Sequence, residues 1–171
     1  MPPIFQSFLP WIIFIFMGSY PYAYAELAAV LSLVIVIVFR FSGLIKLFLF
    51  DWCTLIFFVV LCGLYFTRAQ HWLHDYATLL AISAFAGIML FSLIIGKPFT
   101  SDYAKLSIPE YQSITPQFKS INRVISFFWT LAATLMAVDS WLYVHNIIPN
   151  LWINDIVIVI LFALAILFSI R

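Results

Sequence analysis

The chain has 171 residues, of which 65% are hydrophobic and only 9% are Asp, Glu, Lys or Arg, with a formal net charge of +1. An average soluble domain carries about 25% charged residues, and a protein of this size cannot cover its core with so few. The composition excludes an ordinary soluble domain, and the lack of any run of consecutive Lys or Arg argues against nucleic acid as a partner.

Apolar runs such as Leu27–Phe39, Leu55–Phe66, Ala77–Ile95 and Ile156–Ile170 approach the ~20 residues needed to cross a hydrocarbon core of roughly 30 Å. The expected fold class is all-α: a polytopic transmembrane helix bundle of five to six membrane segments in a single membrane domain, 1–171. Read against their punctuation, the segments fall at about 4–18, 22–39, 49–67, 73–96, 117–144 and 152–170, with a polar connection at about 97–116.

Segment 4–18 is short and contains Pro10, which suits a short tilted span, a re-entrant helix or an interfacial helix. Trp11–Met17 followed by Ala23-Tyr24-Ala25 imitates a signal peptide. No Lys or Arg precedes Trp11, however, and the chain re-enters an apolar run at Leu27, so Met1–Ser19 is expected to be retained. Gly18-Ser19-Tyr20-Pro21 reads as a turn or break, and Ser42-Gly43 as a helix stop. Asp51 is expected to cap the third segment, although the apolar run begins slightly before it. Cys53 and Cys62 lie roughly 13 Å apart along one helix, too far for a disulfide, and read as apolar filler.

Gly96-Lys97-Pro98-Phe99-Thr100, continuing into Ser101-Asp102-Tyr103-Ala104, is the most distinctive string. Gly96 suits a left-handed helix end, Lys97 complements the negative end of the helix and can meet lipid phosphate, and Pro98 blocks continuation. Ser107-Ile108-Pro109-Glu110 has capping-box spacing for a short interfacial helix. Tyr103, Ile108, Tyr111, Ile114 and Phe118 are expected on the membrane surface, with Lys105 and Lys119 reaching headgroups. Thr115-Pro116 is a strong helix start, and Asn146–Asn150 is a turn.

Charge sets an expected orientation. Arg40, Lys46, Lys97, Lys105, Lys119, Arg123 and Arg171 fall on one side of the alternating segments and Arg68 alone on the other. Short loops rich in Lys and Arg stay cytoplasmic, so the 40–48 and 97–120 loops and the C-terminus are expected inside. Trp11, Tyr20, Tyr22, Trp52, Trp72, Tyr76, Trp141, Tyr143 and Trp152 lie near segment ends, as an interfacial aromatic belt would. Ala25/Ala29, Ser83/Gly87 and Ala133/Ala137 have the small-residue spacing of close helix contacts.

Ionisable groups inside a membrane are costly and so become functional candidates. Glu26 and Asp139 fall at similar depth in the outer half on the expected topology, a pairing that suits proton or cation handling. The alternative is that each simply reaches water or bonds a neighbouring helix. Asn122 and Arg123 line the start of the fifth segment. His71 and His74 share a helical face, Asp75 follows, and His145 and Asp155 emerge on the same expected side. These groups supply the ligand types of a zinc or similar metal site, although interfacial histidines are common without one. No nucleophile elbow, Walker lysine motif or dinucleotide fingerprint is present, and no other cofactor is expected.

The Gly96–Thr100 string with Asp102-Tyr103-Ala104, Pro109, Pro116, Phe118 and the Asn122–Trp129 stretch resembles small uncharacterised bacterial polytopic membrane proteins that share a Gly-Lys/Arg-Pro-Phe-Thr loop. Leu49-Phe50-Asp51-Trp52 to Phe58 is similar to the segment those proteins carry before a middle span. More distantly, the Lys-Pro after a span and the Asn-led helix with Phe127-Phe128-Trp129 resemble the intracellular septation protein A family, from which the chain departs outside that loop. The first resemblance implies a bacterial inner membrane and no known activity; the second implies envelope or division-related work.

Three functional expectations follow. The first is a non-enzymatic inner-membrane protein acting through lipid or protein partners at the 97–120 loop. The second is a small-solute or ion transporter or channel using Glu26, Asp139, Asn122 and Arg123, homo-oligomeric because so few short helices leave little room for a pathway. The third is a membrane metal protein or enzyme using His71, His74 and His145.

Overall fold

The computed structural model describes the backbone of residues 3–18, 22–41, 48–66, 70–147 and 151–170, and side chains at 6–17, 25–38, 48–66, 75–147 and 152–169. Among these residues there is no strand. The helices are α1 (Pro3–Gly18), α2 (Tyr22–Phe41), α3 (Leu49–Phe66), α4 (Gln70–Ile94), α5 (Phe99–Ala104), α6 (Glu110–Ser113), α7 (Pro116–Val144) and α8 (Leu151–Ile170), with a 3₁₀ turn at Lys105–Ser107. The Ser42-Gly43 stop, Lys46, Arg68 and Arg171 lie outside the described residues, as do the side chains of Arg40, Tyr22 and Trp72.

The protein is a membrane-embedded helical bundle. Among the described residues, α3, the Asp75–Ile94 part of α4, α7 and the Trp152–Ser169 part of α8 are long and apolar enough to cross a bilayer. Their outward faces carry Ile56, Val59 and Val60 on α3, Leu131, Leu135 and Val138 on α7, and Ile156, Val159 and Ile160 on α8, all exposed. Water would penalise such faces, whereas lipid tails are as apolar as the side chains themselves. α4 lies at the centre, packed most extensively on α7 and also against α1 and α3; α2 covers α1 and α3, and α8 lies against α7.

α1 is the surprise. Its 16 residues reach only about 24 Å, yet Phe8, Trp11 and Phe14 are almost completely enclosed. Phe8 meets the rings of Phe50, Phe85, Phe99, Trp129 and Phe162, drawn from five different helices. Trp11 stacks on Phe57 at 4.9 Å and donates its Nε1–H to Thr54 Oγ1 at 3.0 Å. The interfacial reading of this segment is therefore corrected, and so is the placing of Trp11 in the aromatic belt. Among the remaining belt residues, Trp52, Tyr76, Trp141 and Trp152 are exposed near helix ends.

Without a hydrophobic force between helices in lipid, dispersion and polar links hold the bundle. Ser32 Oγ donates to the Pro10 carbonyl at 2.9 Å, tying α2 to α1. Trp129 Nε1 donates to Ser169 Oγ at 2.8 Å and Ser140 Oγ donates to Asn154 Oδ1 at 3.3 Å, tying α7 to α8 at two levels. Such links contribute about 0.6–2 kcal/mol each. Ala25, Ala29 and Ala133 are buried and Ala137 is partly so. Among the described residues the Ser83/Gly87 pair makes no close helix contact: both are exposed, and a methyl group added at Gly87 would meet nothing within 4 Å.

Local signals bound the helices as expected at three places and differently at a fourth. Gly96, at φ +70, stops α4, with the Gly96 N–H on the Leu93 carbonyl and the Lys97 N–H on the Ser92 carbonyl. Asn146, at φ 57, closes α7 with the same pair of bonds, to Tyr143 and Leu142. Thr115 caps α7 through its hydroxyl, which accepts from Phe118 N–H at 3.3 Å, with Pro116 in the first turn. The Ser107–Glu110 capping box does not form, because Pro109 is the cap residue of α6 and Ser107 belongs to the preceding 3₁₀ turn.

Candidate functional site

Most of the polar chemistry gathers where α4 ends and α7 begins. Ser92 Oγ donates to the Met89 carbonyl at 2.7 Å and accepts the Phe99 N–H at 3.2 Å, so the turn through Lys97 and Pro98 is pinned to the helix it leaves. α5 then docks on α7. Thr100 Oγ1 donates to the Asn122 carbonyl at 3.0 Å and lies 2.8 Å from Ser126 Oγ. A threonine hydroxyl has one proton, so Ser126 is the donor in the second contact, and its oxygen also takes the Thr100 N–H at 3.4 Å. Thr100 and Ser126 are 26 positions apart in the chain, and both are buried.

Tyr103, on the last turn of α5, donates to Asp51 Oδ1 at 2.7 Å. Asp51 Oδ2 accepts the Phe48 N–H at 3.0 Å. Asp51 thus caps α3 from its third position, reaching back to the residue before the helix, as the acidic half of a capping box does. The Ser7 hydroxyl also bonds the Tyr103 side chain, so α1, α3 and α5 meet at one phenol. Burial, with the Asp51 carboxylate beside it, pushes the Tyr103 hydroxyl well above the ordinary tyrosine range. The tyrosine therefore stays a donor. Phe48 closes the arrangement with its ring edge-on to Tyr103, centroids 5.1 Å apart.

Above this latch opens a cleft of about 880 Å³. Phe48, Leu49, Ile108, Ile114 and Phe118 give it apolar walls; Lys97, Lys105, Lys119 and Arg123 bring four cations and Asp102 and Glu110 two carboxylates. Lys105 Nζ is 3.6 Å from Asp102 Oδ1. Lys97, Lys119 and Arg123 have no ion-pair partner among the described residues. Gly96, Lys97 and Pro98 line the cleft, whereas Phe99 and Thr100 are buried beneath it. Asn122 points inward, its amide donating to the Phe118 carbonyl at 2.9 Å, while its neighbour Arg123 faces the cleft.

The other polar candidates lie apart from the cleft. Asp139, near the far end of α7, is buried, and its Oδ2 has no hydrogen-bond partner among the described residues. Ser140 and Asn154, joined across α7 and α8, sit beside it in sequence and in the next helix. Glu26 is partly buried on α2, which packs on α1, α3 and α4, whereas α7 packs on α4, α5, α6 and α8. The two carboxylates therefore stand on helices that share no extensive interface. His145 is exposed, stacked on Trp141 at 4.3 Å with its Nδ1 2.9 Å from the Trp141 carbonyl. His71 and His74 fall in the first turns of α4 at the same end of the bundle, but their side chains lie outside the described residues. Among the described residues no group of three His, Cys, Asp or Glu is placed to hold a metal.

The sequence reading missed the latch: it expected Tyr103 on the membrane surface, whereas the ring is buried and its hydroxyl is bonded to Asp51. The latch's one legible signal was an acid three residues after Phe48 at a helix start; nothing local pointed to Tyr103 or Ser7 as partners. Comparisons with protein-family models, with curated proteins and with solved structures find no match.

Proposed function

We propose that this chain is a non-enzymatic protein of the bacterial inner membrane that works through lipid or protein partners, with the cleft as its contact surface. In this reading the cleft and the C-terminus are cytoplasmic and the role is envelope maintenance. The observation that carries it is the gathering of Lys97, Lys119 and Arg123, unpaired among the described residues, into one cleft on a bundle whose other faces are largely apolar. Concentrated positive charge at a bundle end supports both retention on the cytoplasmic side and attraction of anionic partners. The resemblance of the Gly96–Thr100 loop to bacterial membrane proteins supports the compartment.

A photo-cross-linking residue tests this reading in cells. Placed at Ile114, which is exposed at the cleft, it is expected to yield discrete lipid or protein adducts that Lys97→Glu with Lys119→Glu abolishes. Placed at Leu167 on the apolar face of α8, it is expected to yield only diffuse bulk-lipid labelling. Equal labelling from both sites would sink the proposal.

A second reading, transport of a small solute or ion, is favoured by the buried Asp139 oxygen that no donor among the described residues satisfies. It predicts that Asp139→Asn abolishes flux in proteoliposomes while the protein still folds. Flux unchanged in that variant removes the reading.

A further inference from the structure

We infer that the cleft seats the phosphate of an anionic phospholipid, with Lys97, Lys119 and Arg123 as its cationic contacts. This deepens the contact-surface reading and rests on it. Three cations face the cleft without an ion-pair partner among the described residues, Lys105 is already engaged by Asp102, and Glu110 is the other carboxylate lining it. Three positive charges less one leaves an excess of two, which calls for an anion.

The walls say which kind of anion. Leu49 is the first residue of α3 and Phe118 lies in the first turn of α7, so the cleft sits where membrane-length apolar helices begin. Ile108, Ile114 and Phe118 add apolar surface beside the charges. A freely soluble phosphate has no use for such walls, whereas a phospholipid places its phosphate at this depth and continues into ester and acyl groups. A guanidinium such as that of Arg123 offers parallel donors suited to phosphate oxygens, and Lys97 and Lys119 add point charges.

The cations are also held in advance. Lys119 and Arg123, four residues apart, share one face of α7, and Lys97 comes from the turn that follows α4. The Thr100–Ser126 contact ties α5 to α7, and the Tyr103–Asp51 bond ties α5 to the start of α3. Fixing the walls by buried bonds lowers the ordering cost of capturing a headgroup.

The test is retention of phosphatidylglycerol over phosphatidylcholine by the full-length protein in mixed-lipid nanodiscs, read by native mass spectrometry. Wild type is expected to enrich phosphatidylglycerol, and Lys97→Gln with Lys119→Gln and Arg123→Gln to lower that enrichment by roughly a hundredfold. Lys105→Gln is expected to change it by less than about twofold. Should the triple variant fail to fold, Arg123→Gln alone is expected to lower it by about fivefold. No enrichment by wild type, or enrichment that survives these substitutions, overturns the inference. So does inorganic phosphate that displaces the lipid at equal concentration. If cross-links at Ile114 persist to a protein while the lipid test fails, the contact-surface reading stands without this inference. If Ile114 labels no differently from Leu167, both fall.

Discussion

Asp51 and Asp139 are both enclosed carboxylates, 7% and 9% exposed, near opposite ends of the bundle, yet one is fully engaged and the other is not. Asp51 stands in the first turn of α3, where backbone N–H groups have no partner within the helix, and it takes one of them together with the Tyr103 hydroxyl. Asp139 stands within a continuous helix, where the nearby N–H groups already serve the turn before them, and its Oδ2 goes without a donor among the described residues. Position along a helix, more than burial, separates a carboxylate that builds structure from one that is left available.

The sharpest way to break this contrast is to remove each carboxylate in turn. Asp51→Ala leaves the Phe48 N–H unpaired and deprives the Tyr103 hydroxyl of its carboxylate acceptor, with only the Ser7 hydroxyl left beside it, and is expected to cost about 2–4 kcal/mol in reversible unfolding from mixed micelles. Asp139→Asn removes no bond and is expected to fall within about 0.5 kcal/mol of wild type. If the two substitutions cost the same, the engagement of Asp51 is not what distinguishes them.

A smaller effect follows from Tyr103, whose proton the folded protein holds more tightly than the unfolded chain does. Below a pH of about 10 tyrosine is protonated in both states and its contribution is complete. Above that the unfolded chain alone releases the proton, so stability falls as pH rises. Tyr103→Phe is expected to cost about 1–2 kcal/mol at neutral pH and to flatten this alkaline limb, as followed by unfolding midpoints between about pH 8 and 11. An unchanged limb would assign it to another group.

Sequence carried the fold class, because long apolar runs in a chain with so little charge leave few alternatives to helices in lipid. It also carried the ends set by local chemistry, at Gly96 and at Thr115-Pro116. It misread Trp11 because α1 is apolar throughout from Phe8 onward, so around Trp11 no periodic contrast tells which side chains face inward. Ser83 and Gly87 have the spacing of a contact, yet they lie on the outward face of α4, and spacing does not encode direction. At the candidate site the cations were named from sequence, but the cleft they share was not. It depends on Tyr103 meeting Asp51 across 52 positions and on Thr100 meeting Ser126 across 26. Contacts at that range are fixed by packing and leave no local pattern.

The place of α1 has a consequence for how the protein is made. Residues 3–18 leave the ribosome before every helix whose ring encloses Phe8, from Phe50 of α3 to Phe162 of α8. The enclosure of Phe8 is therefore incomplete until α8 has been made. Assembly then proceeds around α1, and α8, made after the other helices described, supplies one of the rings that covers it.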